Sequence, residues 1–357
     1  MGDRDTLRKT FILDRGAYDA PGAEVMAGTP ESILAFDPKY PKNRLGLAQW
    51  LFDKRNPLTS RVFVNQLWQE IFGRGIVKTS GDFGMQGELP THPELLDWLA
   101  VDFMNNGWNM KRLVKQMVMS ATYRQSAVIS PEKLKEDPEN IYLSRAPRYR
   151  IKAELVRDLV LSSSGLLVKT IGGPSVKPYQ PPGLWENASS GRGILRNYKQ
   201  DHDNDLYRRG MYTFVKRTVP PPVMGIFDAS NRDQCEVNRL KTNTPLQALI
   251  MMNDPTVLEA SRVLAVKLDN TPVEIKEKVI RAFRLIVCRK PSEKEIEVLT
   301  SYYSDQLNVF KKQKNRAESL ISIGEYPIPQ KLNTSSVAVW MQVISALYNL
   351  EETITKT

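Results

Sequence analysis

The sequence predicts a mainly α, multi-helix globular domain with an extended N-terminal arm and a small irregular, β-containing insertion. Apolar residues recur at helical spacing through much of the 357-residue chain. Helix-start signatures crowd its last third: Thr244-Pro245-x-Gln247, Asn253-Asp254-Pro255, Thr271-Pro272-x-Glu274 and Ser292-x-x-Glu295. One long stretch rich in glycine, proline, aromatic and charged residues separates two helical blocks.

Residues 1–43 carry many Gly and Pro and no sustained period, so they read as an arm lying over the domain, with Thr10-Phe11-Ile12-Leu13 as an edge strand. Residues 44–357 read as one mainly helical domain. Val64, Leu67, Trp68, Ile71 and Phe72 share a helix face that stops at Gly73 and Gly75. Thr91-x-x-Glu94 is a capping box, in which hydroxyl and carboxylate satisfy the free amides of a helix start. Leu95, Leu96, Leu99 and Phe103 supply the stripe of that helix, and Gly107 ends it. Met110, Leu113, Val114, Met117, Val118 and Ala121 form another stripe, and residues 152–167 read as a further helix. In the last third, Ile275, Val279, Ala282, Phe283 and Ile286 mark a buried face, as do Val337, Trp340, Val343, Ile344 and Leu347. Residues 171–240 differ: Gly172-Gly173-Pro174, Pro181-Pro182-Gly183 and Pro220-Pro221-Pro222 break any period, and Met211–Lys216 alternates weakly as a strand would. A long aromatic-rich segment inside a compact domain is the place to look for a site.

Composition excludes several classes. Hydrophobic residues make up 41% and charged residues 25%, the balance of a globular protein. No apolar run approaches the ~20 residues that span a bilayer. The net charge of +10 favours acidic partners, but the basic residues are dispersed, so no nucleic-acid role is expected beyond what charge alone suggests. Two cysteines, Cys235 and Cys288, rule out a disulfide scaffold and a four-cysteine metal site, and leave one disulfide open. No C-x-x-C-H, phosphate-binding loop, G-x-S-x-G or H-E-x-x-H occurs; Gly73-Arg74-Gly75 and Gly191-Arg192-Gly193 lack the spacing of a phosphate loop. No cofactor site of a familiar kind is expected in this chain.

The candidate catalytic pair is His202 with Asp205, inside Gln200-Asp201-His202-Asp203-Asn204-Asp205, because a histidine among carboxylates serves as a general base. The D-x-D-x-D spacing fails as a calcium loop: Leu206 and Tyr212 stand where glycine and glutamate are needed, and no metal is expected. The candidate ligand-binding residues are Tyr179, Trp185, Tyr207, Arg208, Arg209, Arg217, Arg232 and Arg239. Aromatic platforms beside guanidinium forks suit a sugar or an anionic ligand. His92 reads as a capping or surface residue, and Cys235 near Arg232 as either a reactive thiol or a small apolar residue.

Several blocks then occur in order: Asn43-Arg44-Leu45-Gly46-Leu47-Ala48, Arg61-Val62-Phe63-Val64-Asn65-Gln66-Leu67-Trp68, Phe72-Gly73-Arg74-Gly75-Ile76-Val77 and Pro90-Thr91-His92-Pro93-Glu94-Leu95-Leu96-Asp97-Trp98-Leu99. They continue with Ser120-Ala121-Thr122-Tyr123-Arg124-Gln125-Ser126, Gly172-Gly173-Pro174-Ser175-Val176, Asp205-Leu206-Tyr207-Arg208-Arg209 and Thr242-Asn243-Thr244-Pro245-Leu246-Gln247-Ala248-Leu249, and end at Ala346-Leu347-Tyr348-Asn349-Leu350. In these the chain resembles the C-terminal domain of unknown function 1553 of planctomycete-type cytochrome c proteins, found also in Bacteroidetes and Verrucomicrobia. The resemblance implies a periplasmic or secreted module whose signal peptide, c-type haem domain and second uncharacterised domain lie upstream. It implies glycans as possible partners and no established catalytic residues. It also implies glycine at position 203, where this chain has Asp203. The expected function is therefore a binding or processing module for carbohydrate, with a sugar oxidoreductase or hydrolase using His202 with nearby acids and arginines as one alternative and a nucleic-acid-binding protein, on basic charge only, as the other; whether the chain is an enzyme stays open.

Overall fold

The computed structural model describes residues 8–188, 193 and 195–356; the first seven residues of the expected arm, together with Gly191 and Arg192, lie outside them. The chain divides at Ala146/Pro147 into two compact units, residues 1–146 and 147–357. Sequence periodicity drew no boundary there, because it shows which residues seek a core and not which stripes share one.

In the first unit, β1 (Thr10–Leu13) pairs antiparallel with β2 (Pro21–Val25), so the arm is a hairpin where an edge strand was expected. The arm then meets α1 (Arg44–Leu51): Trp50 Nε1 donates to the Leu34 carbonyl at 2.8 Å. The helices α2 (Thr59–Phe72), α3 (Pro93–Asn105), α4 (Met110–Met119) and α5 (Pro131–Glu136) follow. Val64, Trp68 and Phe72 from α2 bury against Leu96, Leu99 and Phe103 of α3 and Leu113 and Met117 of α4. Gly73 ends α2 at φ 80, the left-handed conformation that a helix C-terminus favours in glycine. The amide of Asn65, wholly buried, holds the next turn: Nδ2 donates to Val77 O at 3.0 Å, and Oδ1 accepts from Val77 N at 2.8 Å. A Cβ on Gly75 would meet Val77 O at 2.4 Å, so only glycine fits beneath that clamp.

The expected capping box at Thr91 does not form. With Pro93 in the first helical position, His92 becomes the N-cap residue, and the Thr91 hydroxyl turns to Ile76 O at 3.2 Å.

The second unit opens with β3 (Tyr149–Arg150), then α6 (Ala153–Ser164), α7 (Leu184–Asn187), α8 (Pro222–Ile226), α9 (Pro245–Asn253), α10 (Pro255–Asp269), α11 (Ile275–Val287), α12 (Glu293–Lys312), α13 (Lys314–Ile321), α14 (Thr334–Tyr348) and α15 (Glu351–Ile354), and closes with β4 (Thr355–Lys356). Its core is the packing of α10 on α14. Eleven α14 residues are buried on every side of the helix, the pattern of a helix surrounded by others rather than lying on a surface. α6, α11, α12 and α13 pack around them. β3 and β4 pair antiparallel, Tyr149 opposite Lys356 and Arg150 opposite Thr355.

Among the expected helix starts, Ser292–Glu295 forms a complete capping box and Asp254 caps α10 through Thr256 N. Thr244 sits at its N-cap position without a side-chain bond, because Gln247 Nε2 is drawn to Ile226 O at 2.9 Å. α11 starts at Ile275, later than Thr271 suggested. The expected strand at Met211–Lys216 is a 3-10 turn over Gly210–Tyr212 followed by irregular chain. Single bridges such as Val176 to Thr213 tie the insertion together.

Candidate ligand pocket

The second unit holds a pocket of about 730 Å3 with the adjoining open solvent included. Helical spacing on α6 places Ala153, Val156, Arg157 and Val160 along one wall. Residues 178–181, Tyr198 and Thr213 supply a second wall from the insertion. The prolines and Met224 around α8 and the junction of α9 with α10 complete it. The lining is mostly aliphatic and proline. Its polar members are Arg157, Tyr179, Gln180, Tyr198, Thr213, Asp254 and Thr256.

Arg157 brings the charge. Its Nη2 donates to the Leu206 carbonyl and its Nη1 lies 3.4 Å from Thr256 Oγ1, while Nε is buried without a partner. Burial pulls the guanidinium pKa down. Asp254, on the same lining, accepts from Thr256 N at 2.9 Å, and burial pushes its carboxyl pKa up. Tyr198 donates to Pro178 O at 2.5 Å, and burial raises its phenol pKa.

Behind the pocket, Glu259 of α10 is wholly buried and collects the surrounding chain. Its carboxylate accepts from Tyr207 OH at 3.1 Å, Tyr179 OH at 3.2 Å and Tyr326 N at 2.6 Å, with Arg262 at 3.7 Å. Burial, then the nearby Glu259 charge, raises the pKa of Tyr179 and Tyr207. Gly324 is held at φ +90, and a Cβ there would stand 2.4 Å from Glu259 Oε1, so glycine is required for the close approach. Tyr179 OH also accepts from Glu325 N at 2.8 Å, and the Glu325 carboxylate takes His202 Nδ1 at 2.9 Å and Gln200 Nε2 at 2.6 Å. The Glu325 hydrogen bond raises the His202 pKa above its ordinary 6.5.

The residues expected to bind ligand therefore part ways. Tyr179, Tyr207 and His202 do gather around Glu259 and Glu325, and Tyr179 also lines the pocket. Trp185 is 1% exposed, packed edge-on against Tyr198 at 5.0 Å, so it offers no open platform. Arg208 is buried, donating to Pro174 O at 2.9 Å and to Gly172 O, with Tyr212 stacked 3.9 Å away. Arg209 pairs with Asp158 at 3.1 Å and Arg239 with Glu154 at 2.9 Å. These three guanidinium groups fasten the insertion to α6 and to itself, because a cation at low exposure needs an acceptor and the fold supplies one. Asp205, Arg217 and Arg232 are exposed. The eight aromatic and arginine side chains thus do not share one hollow. The acidic run turns the chain: Asp201 Oδ2 accepts from Lys177 N at 2.7 Å. Cys235 and Cys288 are both free and exposed.

Sequence reasoning missed Arg157, Gln180, Thr213, Asp254 and Glu259. The one usable signal was Glu259 with Arg262, an opposite-charge pair three residues apart within the apolar run of α10.

The fold and site define a mainly helical module with a largely apolar, open-mouthed pocket. The chain belongs to the family described as PSD1, protein of unknown function (DUF1553), whose model matches residues 43–303. The matched stretch ends before α14, a helix buried on every side. No curated protein and no solved structure matches the chain. No helix among the described residues is long and apolar enough to cross a membrane.

Proposed function

We propose that this chain is a ligand-binding module whose ligand is a compact small molecule seated in the pocket of the second unit. One observation carries the reading. Among the described residues, three buried polar atoms without partners, Arg157 Nε, Gln180 Nε2 and Thr213 Oγ1, belong to side chains lining this one otherwise apolar pocket. Buried polar groups normally find partners, and several vacancies around one cavity mark where a ligand completes the set.

Catalysis by His202 and Asp205 has less support. The His202 side chain is 64% exposed, its Nδ1 is taken by Glu325, and neither residue lines the pocket. A carbohydrate ligand has less support too, since most of the lining is aliphatic and proline and Trp185 is covered. The exported, cytochrome-linked setting with haem in an upstream domain belongs to the same proposal, and rests on the family resemblance alone.

The test is a screen of compact neutral, acidic and basic fragments, with neutral and sulfated oligosaccharides alongside, followed by amide chemical shifts on the full chain. Fragment shifts are expected at Val156, Val223 and Ile250, with none from the sugars. Val223→Trp, which adds bulk to the lining, is expected to abolish them while the circular dichroism spectrum is unchanged. A screen that moves no pocket amide rejects the reading.

A further inference from the structure

We infer that the pocket takes an organic monocarboxylate: a compact hydrocarbon body carrying one carboxylate held by Arg157, Gln180 and Thr213. This rests on the binding reading above and adds the chemistry of the head group.

The three unpartnered atoms can all donate. A guanidinium N–H and an amide N–H only donate, and the Thr213 hydroxyl donates when no other donor or acceptor claims it. A ligand that satisfies them must bring acceptors. The charge balance points the same way. Arg157 is held by a carbonyl and a hydroxyl, and no carboxylate of the described residues forms an ion pair with it. The nearest acids are committed elsewhere: Asp158 to Arg209 and the Gly210 amide, Glu259 to two tyrosines and the Tyr326 amide. Asp254 shares the lining and is the leading opposite charge acting on Arg157, but no ion-pair contact joins the two, and its Oδ1 accepts from Thr256 N at 2.9 Å. A buried cation with no carboxylate in direct contact is costly, and an incoming anion relieves part of that cost.

Two features narrow the anion. One guanidinium and two neutral donors match two carboxylate oxygens, since a planar fork meets a planar acceptor pair. A phosphate dianion would bring more charge and more acceptors than one guanidinium and two neutral donors offer. The remaining wall is Val156, Val160, Met224, Phe227, Ile250 and Met251, which sets the body of the molecule as branched or cyclic hydrocarbon.

Calorimetric titration of the full chain with 3-phenylpropanoate, 3-phenylpropanamide and 3-phenylpropylammonium at pH 7 tests this. The three probes share one body and differ in head group. The carboxylate is expected to bind about ten-fold or more tightly than the amide, and the ammonium not at all. Arg157→Gln is expected to erase the preference of carboxylate over amide. Because Arg157 also holds Leu206 O and its loss could unfold the site, Thr213→Val and Gln180→Leu are read beside it; each is expected to weaken the carboxylate about three-fold or more, with an unchanged melting profile. Equal affinity for carboxylate and amide, or no binding of the carboxylate, overturns the inference. Where the fragment screen still finds neutral molecules in the pocket, the binding reading survives and only the head group falls.

Discussion

Asp203 sits at φ +54, in the left-handed region where a side chain costs energy and glycine does not. The family resemblance implied glycine at this position, and the backbone supplies the reason: the chain must turn between His202 and the 3-10 turn Asp203–Tyr207. Asp203→Gly is therefore expected to stabilise the fold by up to about 1 kcal/mol in urea denaturation. A loss of stability would mean that the Asp203 carboxylate contributes more than its strain costs. His202 beside it gives a second prediction. Its pKa lies above 6.5 because the imidazolium donates to Glu325. Protonation is thus favoured in the folded chain, so the pair stabilises fully below pH 6.5, and that stability is lost as pH rises through the raised value. The chain has only two histidines, so the His202 ring resonances are easily told apart. Glu325→Gln is expected to return the His202 titration toward 6.5 and to remove that part of the pH dependence. An unmoved titration curve would contradict the pairing. At this scale the sequence showed little of the pocket. Arg157 occupies an ordinary polar slot in Glu154-Leu155-Val156-Arg157-Asp158, and residues 178–181, Tyr198 and Thr213, which share its pocket, turn that slot into an interior one.

The elements were far easier to read, because a helix records its own periodicity and ends locally. α2, α12 and α14 lie where their stripes and stops place them. The misses are instructive. Thr91-x-x-Glu94 and Thr244-x-x-Gln247 have the composition of capping boxes, but a tertiary carbonyl draws a side chain away from the local amides: Ile76 O accepts from Thr91, and Ile226 O from Gln247. Such competition is invisible in a four-residue motif. It makes a paired prediction. Ser292→Ala removes a cap that exists and is expected to cost about 1 kcal/mol. Thr244→Ala removes none and is expected to stay within about 0.5 kcal/mol. Equal losses in thermal or urea melts would show that the Thr244 hydroxyl caps α9 after all. The motif Phe72-Gly73-Arg74-Gly75-Ile76-Val77 likewise acquires a structural meaning, as the turn that Asn65 clamps.

For the whole molecule, the two hydrophobic clusters draw on separate stretches of chain, one within residues 63–143 and the other within 151–354. Residues 147–357 are therefore expected to fold alone, with a cooperative melt followed by circular dichroism; a molten or insoluble product would refute this. Within that unit Glu259 joins α10, the 3-10 turn at Tyr207 and the 324–326 loop. Glu259→Gln leaves Arg262 buried beside a neutral amide and is expected to cost about 3–5 kcal/mol, read as a lower midpoint in denaturant. Stripes of apolar residues foretold that helices would pack, but not that α10 and α14, some eighty positions apart in sequence, would be partners.

The clasp of β3 with β4 has a topological corollary. Tyr149 and Lys356 stand opposite one another as strand partners, so the polypeptide enters and leaves this unit through a gap of about 5 Å. A body of that kind is spliceable: its two ends can be sewn into a surface turn of a host protein with short linkers, or joined to each other and reopened elsewhere, without stretching the chain.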